Sequence, residues 1–348
     1  MQIEKEFKLS APPLVCVCVP TYNAANTILE TIKSILSQTY PNLIVHISDN
    51  ASTDATLSVI ESIVDSRIKI YRGAENIGSG NVMRCIDSAK GKYTAIFHAD
   101  DVYEPSMVAK QVEFLEANAD VGAVFTEASL INQMSEVVGE ILIPQDIKSI
   151  DGIYNFPAVL KAVLRHSNFL VCPSAMVRTE IYQLDVKCWR EDLFKSSADL
   201  DMWLRILKKY SIGCLPEKLM RYRISDHQFS AQVRLSTSRA DFFLVADHYL
   251  KKSWVKALLS SVDWRNYRWL ERRDRVMRAA NLVIADQSRQ AMLLLHDICS
   301  LDVLKAALKT KRGFFVLLLG LYLRILVFMG LHTLGKLSLM HMKQFLRK

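Results

Sequence analysis

From residue 14 to about residue 130 the chain alternates short β-branched runs with stretches of helical periodicity. That alternation restricts it to βαβ units wound around a mostly parallel sheet flanked by helices, a Rossmann-like α/β fold. LVCVCV (14–19) is an all-apolar run in which Cys16 and Cys18 alternate with Val15, Val17 and Val19, so both thiols are expected to be buried and free. A helix follows: Thr27 and Glu30 have capping-box spacing, and Ile28, Leu29, Ile32, Ile35 and Leu36 recur at three and four. Pro41 ends it, and LIVHIS (43–48) is the second strand. Ser52, Thr53 and Asp54 cap a second helix carrying Leu57, Ile60 and Val64. RIKIY (67–71), YTAIFH (93–98) and VGAVFT (121–126) are further strands, with helices near 79–89 and 105–117, the latter opened by Pro105.

Open sheets of this kind bind ligands beyond the carboxyl ends of their strands. Four polar clusters stand there in succession: Pro20-Thr21-Tyr22-Asn23, Asp49-Asn50, Arg72, and His98-Ala99-Asp100-Asp101. Any one of them has a plainer reading as a turn or a helix cap. Four at successive strand ends point to one rim and a binding site. Gly78-Ser79-Gly80 lacks the full dinucleotide fingerprint and is expected to open a helix.

Beyond 130 the alternation loosens. In ADLDMWLRIL (198–207) Trp203, Ile206 and Leu207 form an apolar stripe, and Asp199 and Asp201 sit near the helix N-terminus, where the dipole favours carboxylates. A strand over 219–224 precedes Ser225-Asp226-His227, and residues 237–300 read as helical. There Trp254, Trp264, Tyr267 and Trp269 suggest a core stripe, and Arg265, Arg268, Arg272, Arg273, Arg275 and Arg278 a solvated basic face. From residue 301 onward Asp302 is the lone acid against nine Lys or Arg, which accounts for the whole net charge of +8. The same tail holds 313–331 (GFFVLLLGLYLRILVFMGL), apolar except for Arg324. An anionic membrane fits this tail better than nucleic acid does. With equal numbers of basic residues on either side, nothing orients a crossing, so the segment is expected to lie in the cytoplasmic leaflet. The N-terminal MQIEKEFKLSAPP carries charges where a signal peptide needs an apolar stretch, and the cysteines match no metal or disulfide pattern, so the body is placed in the cytoplasm. The expected organisation is an extension (1–13), a half that carries the rim (14–130), a second half (131–235), a helical region (236–310) and a membrane-associating tail (311–348).

The series VPTYNAANTILETIKSILSQTYPNLIVHISDNASTDAT, RGAENIGSGN, FHADDVYEP, SADLDMWLRIL and RYRISDHQFS, in that order over roughly 14–232, resembles the inverting family 2 glycosyltransferases of the GT-A fold, many of which build bacterial surface polysaccharides. The resemblance implies a nucleotide-diphosphate sugar donor, a saccharide acceptor, here expected to be lipid-linked, and a divalent ion, Mg²⁺ or Mn²⁺. It assigns Pro20, Thr21, Tyr22 and Asp49 to the nucleotide, adds Arg72 as a further contact, and makes Asp100 the metal ligand. His98 replaces the first Asp of the family's Asp-x-Asp motif and can still meet the ribose. Asp101 is expected to cap the following helix, and Asp199 inherits the role of general base. His227 falls where relatives often carry a His near the diphosphate. Two rival classes fit the residues less well. A nucleotidyltransferase would open with a Gly-rich phosphate loop, which PTYNAAN lacks, and a silent binding protein would lose Asp100 or Asp199.

Overall fold

The computed structural model describes residues 11–224, 236–298, 300, 304–305, 311–331 and 338–339. Two compact units divide the chain. The first comprises Met1–Phe156, Leu170–Trp189 and Met202–Arg223, and the second Pro157–Phe169, Arg190–Asp201 and Ile224–Lys348.

The first unit is built on a 10-stranded sheet. Its strands are β1 (Val15–Thr21), β2 (Leu43–Asp49), β3 (Ile68–Arg72), β4 (Tyr93–Ile96), β5 (Val102–Tyr103), β6 (Val121–Ile131), β7 (Val137–Ile141), β8 (Ile153–Tyr154), β9 (Met176–Arg178) and β10 (Ser211–Arg223). They run in the order β3-β2-β1-β4-β9-β6-β10-β5, with β7 on β6 and β8 on β10. The pairs β3-β2, β2-β1, β1-β4 and β6-β10 are parallel. Only the three-residue β9, antiparallel to both β4 and β6, interrupts that direction in the middle of the sheet. β1 is buried from Val15 to Val19, which is why its sequence is apolar at every position. Helices α1 (Ile28–Leu36), α2 (Thr56–Glu61), α3 (Gly80–Ser88) and α4 (Met107–Ala117) follow β1, β2, β3 and β5. Ile28, Ile32 and Ile35 of α1 join Val15, Val17, Val45 and Ile47 in one core.

Three local expectations are corrected. Thr27 and Glu30 form no capping box: Thr27 Oγ1 donates to the carbonyl of Ala99 (3.0 Å) and Glu30 pairs with Arg223 (2.5 Å), so tertiary partners outcompete the local ones. Helix α2 stops at Glu61 and leaves Val64 99% exposed. VGAVFT extends into an 11-residue strand that spans the pairings with β9, β10 and β7. Gly78, at φ +57°, does open α3 as expected.

Helix α5 (Phe156–His166), the single turn α6 (Glu191–Phe194) and α7 (Ala198–Leu207) come next in the chain. The second unit continues with α8 (Phe242–Leu250), α9 (Ser253–Lys256), α10 (Ser261–Ile284), α11 (Ser288–Leu294) and α12 (Lys311–Phe328). Helix α10 opens with a capping box in which Ser260 and Asp263 satisfy each other's backbone N–H groups. The aromatic stripe expected there is split: Tyr267 is buried, whereas Trp254 is 42% exposed. The basic face is partly neutralised, since Arg272 and Arg275 converge on Asp297 and Arg278 pairs with Asp274.

Helix α12 contains most of the apolar run. Its Val316, Leu319 and Leu323 pack with Val276, Ala280, Val283 and Ile298. Gly320 permits that approach, because a Cβ there would stand 2.6 Å from Ile298 Cγ1. On its other face Phe314, Leu318, Tyr322, Ile325 and Phe328 are exposed. Among the described residues no helix is long and apolar enough to cross a membrane.

Candidate functional site

Thr21, Asp49 and Arg72 end β1, β2 and β3 and are register partners across the sheet, Thr21 opposite Asp49 and Asp49 opposite Arg72. Three of the predicted residues therefore stand in a row, set by strand register alone. Pro20 and Thr21 close β1, and the Tyr22 ring beyond them is 47% exposed. Asn23, at φ +47°, turns the chain so that its side chain accepts from Thr53 N (2.9 Å) while its own N–H donates to Ser52 Oγ (3.0 Å), which fixes this loop to the one after β2.

Asp49 is fully buried. Its Oδ2 accepts from Ser52 N (3.0 Å), and its Oδ1 has no protein partner. Buried carboxylate oxygens are rarely left without a donor, so such an atom marks a place where a ligand can supply one. Gly73 belongs to the same wall: its N–H donates to Asp49 O (2.8 Å), and a Cβ on it would lie 2.6 Å from that oxygen. The neighbouring Asn50 ties down the loop before α3 by donating to Asn76 Oδ1 (2.8 Å) and accepting from Ile77 N (3.0 Å). Arg72 stands at its expected strand end, where its guanidinium pairs with Glu61 on the surface.

The fourth strand end carries the acidic loop. Phe97 N donates to Cys18 O (2.9 Å), so the loop starts beside β1, and side chains from elsewhere then hold its backbone. Tyr103 OH, whose ring stacks on Phe97 at 3.7 Å, accepts from His98 N (2.7 Å). Thr27 Oγ1 donates to Ala99 O, Arg223 Nε to Asp100 O (2.8 Å) and Thr31 Oγ1 to Asp101 O (2.7 Å). His98, Asp100 and Asp101 offer ligand atoms within 4.8 Å of one another. Burial holds the His98 imidazole below its usual pKa, against the pull of Asp100, so it is neutral at pH 7 and able to bind a metal.

Asp101 is not a helix cap. β5 follows it, α4 begins only at Met107, and the fully buried carboxylate accepts from Arg223 N (2.8 Å). Burial, helped by the neighbouring Asp100, raises its pKa well above the carboxylate range, and its Oδ2 accepts no hydrogen bond and lies 3.8 Å from His98 Nδ1.

Asp199 lies in the second unit, in the first turn of α7, half-buried and accepting from Asn168 Nδ2 at 3.3 Å. Burial, against the opposing hydrogen bonds, raises its pKa to about 6. Asp201, two residues on, is fully buried, accepts from Tyr249 OH (3.1 Å) and lies 3.8 Å from Arg190, a structural set of contacts. His227 falls outside the described residues. Of the residues that sequence reading missed, Thr27, Thr31 and Arg223 act on the acidic loop through contacts that span 72, 70 and 123 positions, which no local spacing signals, and Tyr103 acts from five residues beyond His98.

Residues 16–182 match Glycosyl transferase family 2. An uncharacterized glycosyltransferase of Haemophilus influenzae is 32% identical over 230 residues, covering 63% of this chain and 68% of that one. An Escherichia coli UDP-Glc:alpha-D-GlcNAc-diphosphoundecaprenol beta-1,3-glucosyltransferase, WfaP, is 27% identical over 199 residues, 56% of this chain and 71% of its own. Among solved structures, the mannosyltransferase PcManGT of Pyrobaculum calidifontis in complex with GDP-Man and Mn²⁺ superposes with a TM-score of 0.54 at 19% identity, over 94% of this chain and 88% of that one, a likeness of fold. The parallel strand ends that align Thr21, Asp49 and Arg72, the acidic loop beside them and these relatives lead to one assignment: the chain belongs to glycosyl transferase family 2 and is a transferase.

Proposed function

We propose that the protein moves a sugar from a nucleoside-diphosphate donor to an acceptor hydroxyl with inversion, on a GT-A fold, in the synthesis of a surface polysaccharide. The observation that carries this reading is Asp49, a buried carboxylate with one oxygen unmet, in register with Thr21, which the exposed Tyr22 follows in the chain. A carboxylate in that setting accepts a ring N–H of a nucleotide base, and the tyrosine covers the base face. Arg72 is a further contact to the nucleotide, its Nε and Nη2 being held by Glu61.

The donor set at His98, Asp100 and Asp101 fits a hard divalent ion such as Mg²⁺ or Mn²⁺: two carboxyl groups and one neutral imidazole offer ligand atoms within 4.8 Å of one another, and a bound ion would favour the ionised form of Asp101. Asp100 is the principal ligand. Held by these residues, a divalent ion would neutralise charge on the departing diphosphate. His98 lacks the negative charge of the usual first Asp and contributes a ring nitrogen instead.

Asp199 takes the proton of the acceptor hydroxyl. The freed oxygen attacks the anomeric carbon on the face opposite the leaving group, the bond from that carbon to the phosphate oxygen breaks, and the configuration inverts. A pKa near 6 leaves Asp199 ionised at pH 7 yet more basic than an exposed aspartate. The acceptor is a lipid-linked saccharide, in keeping with what WfaP acts on. The exposed face of α12, with the basic tail, then rests on the cytoplasmic face of the membrane, whereas nucleic acid is not a partner.

The test is a panel of UDP-, dTDP- and GDP-sugars, read as thermal stabilisation with and without Mn²⁺, followed by NMR of the product's anomeric configuration. One nucleotide should raise the melting temperature in an Mn²⁺-dependent way and give an inverted product. Stabilisation by none of them, or a retained configuration, would overturn the reading.

A further inference from the structure

At the last position of β10 stands a buried arginine whose bonds run to three separate parts of the first unit. Arg223 is 3% exposed. Its backbone N–H donates to Asp101 Oδ1 (2.8 Å) and its Nε to the carbonyl of Asp100 (2.8 Å). Nη1 donates to Asn132 O (3.0 Å) and Ser135 Oγ (3.1 Å), in the turn between β6 and β7, and Nη2 meets Glu30 of α1 at 2.5 Å. Ser135 Oγ donates in turn to Glu30 Oε1 (3.0 Å), which closes the set.

A guanidinium taken out of water loses more hydration than one carboxylate returns, and an apolar side chain of similar size would often stabilise the same place as well or better. What an apolar side chain cannot do is fix the positions of separate backbone oxygens. The planar fork does that, because its donors point in set directions from one rigid group. Here one direction ends on the backbone of Asp100, and the backbone N–H of the same residue ends on the carboxylate of Asp101. The β6–β10 ladder is already registered through Arg223 and Ile131, so strand pairing does not need the side-chain bonds.

We propose that Arg223, anchored by Glu30, is a positioning residue for the acidic loop: it holds the backbone of Asp100 and the carboxylate of Asp101 so that Asp100 is preset to receive a divalent cation. This rests on the reading of Asp100 as the metal ligand. Groups that orient a ligand from behind typically affect metal affinity about 10- to 100-fold.

The experiment measures Mn²⁺ alone binding to the full-length protein, by the EPR signal of the free ion, with folding followed separately by circular dichroism. Arg223→Met should weaken Mn²⁺ binding by about 10- to 100-fold, and Glu30→Gln, which keeps the arginine but loosens its anchor, by about tenfold. Arg223→Lys should restore part of the loss, since it keeps a charge for Glu30 but not the fork. If Arg223→Met does not fold, Glu30→Gln decides. Asp100→Ala is the reference. Should Asp100→Ala lose the ion while Arg223→Met or Glu30→Gln, folded, binds it as wild type does, Arg223 is only structural and the proposal falls alone. If Asp100→Ala binds Mn²⁺ like wild type, the metal reading falls and the proposal with it.

Discussion

Asp199 and Asp201 stand two residues apart in the same helical turn, and their surroundings separate their roles. Asp201 is fully buried, accepts from Tyr249 and faces Arg190, whereas Asp199 is half-buried and accepts from Asn168 at 3.3 Å. The raised pKa of Asp199 means that folding stabilises its protonated form, so its carboxylate, the form a base needs, becomes populated as pH rises through about 6. Turnover should climb between roughly pH 5 and 7 and then level. Asp199→Asn should flatten that limb and lower the rate by about 10² to 10⁴ while donor binding holds. An unchanged pH profile in this variant would move attention elsewhere in the helix. Sequence reading located Asp199 by its neighbours, but it could not tell which carboxylate was fully buried. That distinction depends on Tyr249, Arg190 and Asn168, none of them within a helical turn of Asp199.

The strand ends were legible because β1 and β2 are nearly continuous apolar runs and β3 alternates isoleucine with polar residues, so each run shows where its strand ends and which polar residue stands there. The caps were less so. Thr27 and Glu30 have the spacing of a local motif, yet Thr27 bonds Ala99 and Glu30 bonds Arg223, because long-range partners that are already desolvated compete well against an exposed helix terminus. Ser260 and Asp263 do form the box. The wall behind Asp49 also escapes a residue-type reading, since Gly73 is needed for space. Gly73→Ala puts a Cβ 2.6 Å from Asp49 O and should cost about 1–3 kcal/mol by overpacking, with a weakened affinity for nucleoside diphosphate measured in EDTA. A variant of wild-type stability and affinity would show that the wall yields.

The apolar tail resolves into a two-sided helix, half of it core. Cutting the chain after residue 310 would uncover Val276, Ala280 and Val283, so truncation confounds membrane attachment with loss of packing. Phe314→Ser with Leu318→Ser and Ile325→Ser changes only the exposed face. Each buried side chain transfers with about 1.5–3 kcal/mol, so the triple variant should leave vesicles containing anionic lipid while keeping its melting temperature. Vesicle binding equal to wild type would place the contact elsewhere.

The three-residue β9 has a consequence in time. Its residues, Met176–Arg178, lie between β4 and β6 in the sheet, but they follow the end of β4 by some 80 positions in the chain. During synthesis at ~5–20 residues per second, a half-sheet of β3, β2, β1 and β4 therefore waits roughly 4 to 16 s with the apolar β4 as an open edge. An open edge of that kind recruits foreign strands, so the cell must shield the nascent chain in that interval. Ribosome-bound chains stalled short of Met176 should associate with chaperones and pellet more readily than chains stalled after β10 has emerged. Equal behaviour of the two would mean that the parallel half protects its own edge until its neighbour arrives.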